Sequence, residues 1–417
     1  MAMKNAIYAQ SGGVTAVINA SACGVIQTAR LHPEKIGKVF AAKNGIIGAL
    51  HEELIDTSLE NDKDIASLLH TPSGAFGSCR YKLKDSGYEF DRLLEVFKAH
   101  DIGYFFYNGG GDSQDTANKV AQMSIAANYP VTCIGIPKTI DNDLPFTDTC
   151  PGFGSVAKYI AISTLEAGFD VASMAATSTK VFILEVMGRH AGWIAASSGL
   201  ASNNNSEPPH IILFPETPFI KDKFLNKVEE CVKTYGYCVI VVSEGIKNTE
   251  GKFLSDAGLK DAFGHSQLGG VAPVIANIIK TDLGYKYHWA VADYLQRSAR
   301  HIASAIDLEQ AYALGKAAVE LALEGKNAIM PIIVREQDSP YIWSLSHVAL
   351  ANVANQEKAM PEEFITTDGM GITEACRQYL KPLIQGEAYP PYKNGIPNYV
   401  RLKNQLIPKK LIDFSLR

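Results

Sequence analysis

Several signatures that assign proteins to common classes are missing from this chain. Its seven cysteines are an odd number, are scattered along 417 residues, and include no Cys-x-x-Cys pair and no Cys/His metal-binding spacing. We therefore expect free, buried thiols in a reducing compartment rather than a disulfide framework or a zinc site. The N-terminal residues lack the apolar core of a signal peptide, and no uninterrupted apolar run is long enough to span a bilayer. These absences predict a cytoplasmic protein with no membrane partner.

The charge balance and the glycine spacing exclude further classes. A formal net charge of −5 gives no basic excess, so we expect no nucleic-acid partner, although a small polyanionic substrate could still bind in a local basic pocket. The chain contains no GxxxxGK[ST] motif and therefore no Walker A loop. It also lacks GxGxxG, the main signature of a dinucleotide-binding dehydrogenase.

What the chain does contain is an alternation of strand-like and helix-like segments. Apolar runs typical of buried strands cover 5–10, 38–42, 102–107, 131–136, 181–186, 210–214 and 238–242. Helical periodicity covers 14–29, 113–123, 155–173, 224–234 and 308–323. This alternation predicts an α/β fold with doubly wound sheets. Gly-rich turns at 150–154 and 265–270 indicate where the chain crosses between domains.

The segment after the fourth of these strands carries the most informative chemistry. Pro137 ends the strand, and Lys138, Thr139, Asp141 and Asp143 follow directly. In open α/β sheets, ligands bind at the carboxyl ends of the strands. A carboxylate in such a loop can accept a proton or bind a metal ion, and a lysine can neutralise an anion.

Two glycine-rich turns in the same half of the chain also follow strands. Gly12 and Gly13 lie between a strand and a helix start, and glycines 109–111 precede Asp112 and Ser113. Glycine lets backbone N–H groups approach an oxyanion, and a helix N-terminus adds a positive dipole end. Each turn alone is more often only a tight turn, and Asp112 or Ser113 could simply cap the next helix. Because both turns accompany the acidic loop, we interpret the three together as a phosphoryl-transfer site.

Other candidate residues each have a plainer alternative. Arg80 lies in a turn, where it could bind phosphate oxygens through two N–H groups or only be solvated. Tyr294 and Arg297 are three residues apart on one helical face and could either hold a phosphate or lie at the surface. His265 is equally compatible with the core and with a phosphate contact.

Two strand ends in the second half of the chain indicate a substrate pocket. Met187, Gly188 and Arg189 follow the strand at 181–186, and Glu244 follows the strand at 238–242. A lone glutamate at a strand end is usually just solvated. The two strand ends together favour a pocket that offers a cation and an acceptor for sugar hydroxyls.

Taken together, these motifs resemble the phosphofructokinase family, and within it the pyrophosphate-dependent branch. They occur in the family's order over most of residues 5 to 330. The resemblance implies two similar doubly wound α/β domains with the active site in the cleft between them. The limits we expect are 1–150 plus about 268–310 for a donor-binding domain, 151–267 plus about 311–385 for a sugar-phosphate domain, and 386–417 for a peripheral C-terminal segment.

The resemblance also implies a role for each site residue. Asp141 would be the base that deprotonates the 1-hydroxyl of fructose 6-phosphate. The donor phosphate would bind at Gly12, Gly13, Arg80, Gly110, Gly111 and Ser113. The sugar phosphate would contact Thr139, Met187, Gly188, Arg189, Glu244, His265, Tyr294 and Arg297. Lys180 matches a basic residue that reaches into the neighbouring subunit's site in family members, which implies a homodimer or homotetramer.

Two positions predict the phosphate donor. ATP-dependent members of the family have glycines where this chain has Asp112 and Lys138. The bulk and charge of Asp112 would oppose ATP, and Lys138 would offset charge on pyrophosphate. Gly111 stands where pyrophosphate enzymes commonly have a metal-linked aspartate, so Mg²⁺ would be held by another carboxylate, Asp112, Asp115, Asp141 or Asp143.

We therefore predict reversible, Mg²⁺-dependent transfer of phosphate from pyrophosphate to fructose 6-phosphate, catalysed by Asp141, Lys138 and Asp112. An ATP-dependent member of the same family is one alternative, and Asp112 and Lys138 argue against it. A catalytically silent regulatory subunit that only binds sugar phosphate is another, and the intact set of Asp141, Lys138 and Arg189 argues against that. A Rossmann dehydrogenase lacks its fingerprint.

Overall fold

The structure is a computed structural model that describes residues 3–84, 87–204, 206–260, 266–268 and 270–416. The strands within these ranges are β1 Lys4–Gln10, β2 Ile36–Ala42, β3 Leu54–Asp56, β4 Ile102–Gly109, β5 Thr132–Pro137, β6 Val181–Val186, β7 Ile211–Leu213, β8 Cys238–Ser243, β9 Asp256–Lys260, β10 Ser266–Leu268, β11 Tyr287–Val291, β12 Ile329–Asp338, β13 Tyr341–Ala349, β14 Tyr392–Lys393 and β15 Ile396–Pro397. The α-helices there are α1 Ile18–Arg30, α2 Ile46–Leu50, α3 Asp62–Ser67, α4 Tyr88–Ala99, α5 Gly111–Ala126, α6 Phe153–Met174, α7 Trp193–Ser197, α8 Lys221–Tyr235, α9 Ala272–Leu283, α10 Asp293–Ser298, α11 Ala305–Leu323, α12 Leu350–Val353 and α13 Glu374–Leu380. None of these helices is long and apolar enough to cross a bilayer.

Seven strands form the larger sheet, in the order β13-β12-β5-β4-β1-β2-β3. The inner strands run parallel, and β3 and β13 join the two edges in antiparallel pairing. Hydrophobic side chains alternate across the sheet, so that Ile7 and Phe105 enter one core layer while Tyr8 and Phe106 enter the other. Both faces are therefore buried, as is usual for parallel strands.

The smaller sheet consists of four parallel strands in the order β11-β6-β8-β7. It is also buried on both faces, because Ile183 and Ile240 enter one core layer and Leu184 and Val241 enter the other. The predicted α/β fold with two doubly wound sheets is thus confirmed. The edge strand β11 is the exception to this burial, because its Trp289 side chain remains 44% exposed.

The predicted elements all overlap observed ones, and their ends differ by a few residues. The largest difference is at α1, which was expected from residue 14 and begins at Ile18, because the preceding residues form a turn. The strands β3, β9, β10, β11, β12, β13, β14 and β15 are not among the predicted ones. β13 alternates poorly, since most of its side chains are exposed or half-exposed.

Strand pairing differs from the expected domain limits in the last third of the chain. β11 lies within 268–310, which was expected in the donor domain, but it pairs with β6 of the smaller sheet. β12 and β13 lie within 311–385, which was expected in the sugar-phosphate domain, but they extend the larger sheet beyond β5. For these strands the expected assignment is wrong, because hydrogen bonding between distant strands leaves no local sequence pattern.

The C-terminal segment runs along the larger sheet. The backbone N–H of Asp56 donates to the carbonyl of Gln405 at 3.0 Å, and the N–H of Ile407 donates to Leu54 at 2.9 Å. Further along, Phe414 stacks on Tyr88, with ring centroids 4.9 Å apart. These contacts hold the segment against β3 and α4.

An aspartate of α11 caps the helix that follows the acidic loop. Asp307 is buried and accepts hydrogen bonds from the N–H groups of Gly152 and Ser155 at 2.8 and 2.9 Å, and from the Ser155 hydroxyl. α6 has no cap from its own N-cap residue, so the distant carboxylate satisfies these donors. Asp307 therefore ties the start of α6 to α11.

Replacing Asp307 by alanine should lower the free energy of unfolding by about 2–3 kcal/mol, because two buried N–H groups would lose their acceptor. Denaturant titration monitored by circular dichroism measures this change. Asp170→Ala, at an exposed position of α6, the helix that Asp307 caps, is the control and should change stability by less than about 0.5 kcal/mol. Equal midpoints for the two variants would contradict the capping role.

Candidate active site

Three loops of the larger sheet meet at one edge. β1, β4 and β5 are adjacent and parallel, and their carboxyl ends lead into residues 11–13, 110–113 and 138–143. Gln10 is in register with Asn108, and Gly109 with Pro137, so the three strands end at the same level. The two glycine-rich turns and the acidic loop therefore lie side by side.

Two loops of the smaller sheet and α10 complete a cleft of about 550 Å³. β6 and β8 end at the same level, where Val186 is in register with Ser243. The residues lining the cleft from the larger sheet's side are Ser11, Gly12, Gly13, Val14, Arg80, Gly110, Gly111, Asp112, Ser113, Lys138, Thr139, Ile140, Asp141 and Asp143. From the opposite side come Met187, Arg189, Glu244, Tyr294 and Arg297.

Asp141 keeps some contact with solvent through the cleft but is surrounded by protein. Its backbone N–H donates to the Thr139 hydroxyl oxygen at 3.0 Å. Desolvation, followed by the negative charges of Asp143 and Glu244, raises the pKa of Asp141 to about 7. A carboxyl group with this pKa can take up and release a proton at neutral pH.

Lys138 places a positive charge next to Asp141. The lysine is only 4% exposed, and desolvation lowers its pKa to about 8, although the charges of Asp141 and Asp143 act in the opposite direction. Gly12 has a φ of +75° and faces the ammonium, because a Cβ atom there would lie 3.2 Å from Lys138 Nζ. The lysine therefore links the acidic loop to the first glycine turn.

Two arginines converge on the same turn from different parts of the chain. A Cβ atom at Gly13 would lie 2.9 Å from Nη1 of Arg297 and 3.9 Å from Nη2 of Arg80. The Arg297 guanidinium also stacks on Tyr294, 4.0 Å from the ring centroid. Burial and the nearby charge of Arg80 both lower the pKa of Arg297, which Tyr294 partly offsets. Such a pair of like charges is suited to an anion bound between them.

The second glycine turn leads directly into α5. The N-cap residue of α5 is Gly110, and no side chain caps the helix there. The alternative that Asp112 or Ser113 is the N-cap is therefore wrong. A Cβ atom at Gly111 would have no atom within 4 Å, which leaves the helix start open to the cleft. Asp112, in the first turn, forms an ion pair with Lys82 at 2.9 Å. Lys82 therefore neutralises part of the negative charge of Asp112.

Glu244 and Arg189 lie opposite the acidic loop. Burial raises the pKa of Glu244. Two groups oppose that rise: the charge of Arg189, and the N–H of Gly188, which donates to the Glu244 carboxylate at 3.4 Å. Gly188 has a φ of +133°, and a Cβ atom there would lie 2.7 Å from the Ala191 carbonyl oxygen. Gly188 therefore orients Glu244 rather than lining the cleft itself.

Comparison with known proteins identifies the family. The phosphofructokinase family model matches residues 5–322. The chain is 65% identical over 414 residues to the pyrophosphate–fructose 6-phosphate 1-phosphotransferase of Methylococcus capsulatus, covering 99% of each chain, and 64% identical to that of Halomonas elongata, covering all of both. It is also similar to the crystal structure of the pyrophosphate-dependent phosphofructokinase from Marinobacter aquaeolei, with a TM-score of 0.92, 65% identity and coverage of 99% and 100% of the two chains.

This chain belongs to the phosphofructokinase family. Among the described positions expected from the family resemblance, Lys180 and Gly188 do not line the cleft. Lys180 precedes β6, and its ammonium donates to the carbonyl of Ala175. His265 lies outside the described residues.

The structure adds residues that sequence analysis overlooked. Ser11, Val14 and Ile140 line the cleft beside predicted residues. Lys358 and Tyr379 hydrogen-bond the acidic loop from the far end of the chain. No motif surrounds Lys358 or Tyr379 in the sequence, so nothing there marked them.

The carboxylates of the cleft fit a magnesium ion that substrate phosphates help to bind. Desolvation raises the pKa of both Asp141 and Asp143, and the charge of the buried Lys138 lowers both. Among the described residues, no group of three or more Asp, Glu, His or Cys side chains could hold a metal ion alone. Mg²⁺ usually keeps several waters and takes one or two carboxylates plus phosphate oxygens, and this pair provides that number.

Replacing Asp141 by asparagine should stabilise the protein at alkaline pH. The pKa of Asp141 is about 7 in the folded protein and 3.8 in the unfolded chain. Its contribution to stability therefore falls as pH rises from about 4 to 7 and stays low above 7. Asparagine carries no such cost. We expect the melting temperature in scanning calorimetry to rise by roughly 4 °C or more at pH 8, and by less at pH 5.

The control for this measurement is Asp112→Asn, which removes a half-exposed carboxylate from the same cleft and should give no such gain. A gain of the same size at both pH values would mean that ionisation of Asp141 is not its cause.

Proposed function

We propose that this chain catalyses the reversible transfer of phosphate from pyrophosphate to the 1-hydroxyl of fructose 6-phosphate, giving fructose 1,6-bisphosphate and orthophosphate. One observation carries the proposal: Asp141, with a pKa near 7, lies between converging cations and a second loop set built around Glu244 and Arg189. Relatives that match the chain over nearly their whole length have pyrophosphate–fructose 6-phosphate 1-phosphotransferase as their name. Because pyrophosphate contains no nucleoside, this reaction does not require a nucleotide-binding loop.

In this proposal Asp141 accepts the proton of the 1-hydroxyl. The hydroxyl oxygen forms a bond to one phosphorus of pyrophosphate while the bridging P–O bond breaks, and orthophosphate leaves. Asp141 must be ionised to take the proton, and its raised pKa makes it a stronger base than an ordinary aspartate at the same pH. In the reverse direction, the protonated carboxyl returns the proton to the sugar oxygen.

The donor end of the cleft neutralises negative charge. We assign pyrophosphate to Lys138, Arg80 and the backbone of Gly12, Gly13, Gly110, Gly111 and Ser113, because these groups surround one part of the cleft. Phosphoryl transfer depends mainly on positioning and charge neutralisation, so preplaced cations supply much of what the reaction needs. Mg²⁺ held by Asp141 or Asp143, with Asp112 as a weaker candidate, would add charge neutralisation there.

The sugar phosphate is assigned to the other part of the cleft. Glu244 is the acceptor for sugar hydroxyls, Arg189 and Arg297 are the cations for the phosphate, and Thr139, Met187 and Tyr294 are further contacts. The Arg297 guanidinium also lies beside Gly13, so this arginine faces the donor loop as well. Arg297 is therefore placed to contact both substrates.

We also propose that the enzyme is a homo-oligomer, at least a dimer, in which Lys180 reaches the neighbouring site. Supporting this, the backbone N–H of Lys180 donates to the carbonyl of Lys286, the residue before β11, an edge strand with exposed Trp289 and Val291. An unpaired edge with apolar side chains favours association with a second copy. Sedimentation velocity should give a dimer or tetramer, and a monomer would contradict the proposal.

A cytoplasmic location is the last part of the proposal. All seven cysteines are free, and six of them are buried, as suits a reducing compartment. Fractionation of cells with an antibody to the chain tests this, and recovery outside the cytoplasm would count against it.

The choice of donor can be tested with a coupled assay that supplies pyrophosphate, ATP or neither. The wild-type chain should use pyrophosphate and give negligible turnover with ATP. Asp112→Gly should allow weak ATP use, because it removes bulk and charge from nucleotide space. Lys138→Gly should lower pyrophosphate turnover about a hundredfold, since a preplaced cation is lost. The double variant should shift the ratio further toward ATP than either change alone.

The matched control for the donor test is Lys82→Ala, which leaves Asp112 in place without its ion-pair partner. It should not increase ATP use. If wild-type protein already uses ATP as well as pyrophosphate, Asp112 does not exclude nucleotide. If neither donor supports turnover, the proposed function itself fails.

The base can be tested by mutation and by pH. Asp141→Asn should lower kcat by roughly 10²–10⁴-fold while fructose 6-phosphate still binds, because the proton acceptor is lost and the residues assigned to the sugar phosphate remain. For the wild-type enzyme, kcat/KM should fall as pH drops through about 7, where the carboxylate becomes protonated. The variant should lack this limb of the profile. A kcat within a few-fold of wild type would rule out Asp141 as the base.

A further inference from the structure

The acidic loop is held from behind by Lys358, which follows α12. Its ammonium donates to Oδ1 of Asn142 at 3.3 Å and to the carbonyl oxygens of Thr147 and Asp148 at 3.1 and 3.0 Å. Its backbone N–H donates to the carbonyl of Asp143 at 2.6 Å. A single residue therefore contacts the loop at four points, two of them at or beside Asp143.

Tyr379 of α13 holds the same loop. Its hydroxyl accepts a hydrogen bond from Nδ2 of Asn142 at 2.8 Å and donates to the carbonyl of Asp148 at 2.6 Å. The Asn142 side-chain oxygen also accepts from the N–H of Cys150 at 3.0 Å. Asn142 is fully buried with a φ of 54°, a left-handed conformation that non-glycine residues seldom adopt. These hydrogen bonds hold it there, directly between the two carboxylates of the loop.

Lys358 is itself fixed on the side away from the cleft. Its ammonium lies 5.4 Å from the centroid of the Trp193 ring, and the indole N–H of Trp193 donates to the Lys358 carbonyl at 3.3 Å. A second cavity of about 390 Å³ is lined by Lys358 and by Asp141 and Asp143, which also line the cleft. Lys358 is therefore not one of the cleft-lining residues, and it lines a second cavity that shares both carboxylates with the cleft.

We propose that Lys358, together with Tyr379, is a positioning residue that fixes Asn142 and thereby the direction in which the Asp141 carboxylate faces the 1-hydroxyl. The inference rests on the proposed phosphoryl transfer. Both residues lie beyond residue 322, where the match to the family model ends. The acidic loop is thus held in part by a segment outside the residues that the family model matches.

Lys358→Met tests this role, because it keeps the apolar stem and removes the three ammonium hydrogen bonds. Misplacing a reacting group by about 1 Å can cost about a hundredfold in rate, so we expect kcat to fall by about 10–100-fold. The KM values for fructose 6-phosphate and pyrophosphate should stay within roughly threefold, since Lys358 contacts neither in the proposed arrangement.

Lys158→Met is the matched control. Lys158 is also nearly buried, at 8% exposure, and its ammonium donates to a backbone carbonyl, that of Gly386 at 2.7 Å. It holds the C-terminal segment rather than the acidic loop. Its kcat should equal that of the wild type, so a loss confined to Lys358→Met is an effect on the loop and not on buried lysines in general.

Tyr379→Phe removes one hydroxyl from the same support and decides the question if Lys358→Met does not fold. It should lower kcat several-fold with KM unchanged. Because both residues act through Asn142, the double variant should lose less than the product of the two single losses. Strictly multiplicative losses would overturn the coupling through Asn142.

A chemical rescue separates positioning from simple filling of space. In Lys358→Ala, added ethylammonium could enter the second cavity and restore part of kcat, whereas ethanol of similar size should not. Equal effects of the two additives, or none from ethylammonium, would overturn the role of the charge.

The outcomes also separate this inference from the proposed function. A wild-type enzyme that is active with pyrophosphate, combined with unchanged kcat in Lys358→Met and Tyr379→Phe, would overturn only the positioning role. A loss in Lys358→Met that appears equally in Lys158→Met, or that comes with a much larger KM, would overturn it too. A wild-type chain that forms no fructose 1,6-bisphosphate from pyrophosphate would instead end the proposed function.

Discussion

The site depends on keeping the carboxylates of Asp141 and Asp143 close together in a largely desolvated loop. Desolvation raises the pKa of both, and the charge of the buried Lys138 lowers both. A loop under such electrostatic repulsion would relax toward solvent unless its backbone were held in place. The strand β5 on one side and α6 with its Asp307 cap on the other provide that anchoring.

The two sheets contribute different chemistry to one cleft. The larger sheet supplies the glycine turns, which offer backbone N–H groups, together with the acidic loop. The smaller sheet supplies Glu244 and Arg189, an acidic and a basic side chain. Arg297 reaches from α10 to Gly13, so it connects the two sets of groups. A substrate that occupied only one side would leave this arginine next to Arg80 without an anion to separate them.

The sequence predicted the parts of the site that follow strands closely. Short apolar runs ending in glycine or in Pro137 located the loops, because parallel strands expose their carboxyl ends at one edge. What could not be predicted comes from contacts between distant segments. Lys358 and Tyr379 reach Asn142 across more than 200 residues, and no local pattern announces such a contact. The capping alternative for Asp112 was equally open in the sequence, since only the geometry of Gly110 decides where α5 begins.

Because β12 pairs with β5, the residues that the family model matches depend on a strand that lies outside that match. β12 covers the edge of the strand that carries the acidic loop, and β13 covers β12 in turn. A fragment ending at residue 322 would contain everything that the family model matches, yet its β5 would present an open row of backbone donors and acceptors. An exposed strand edge of this kind favours aggregation. The part of the chain that the family model matches and the part that completes the larger sheet therefore end at different residues.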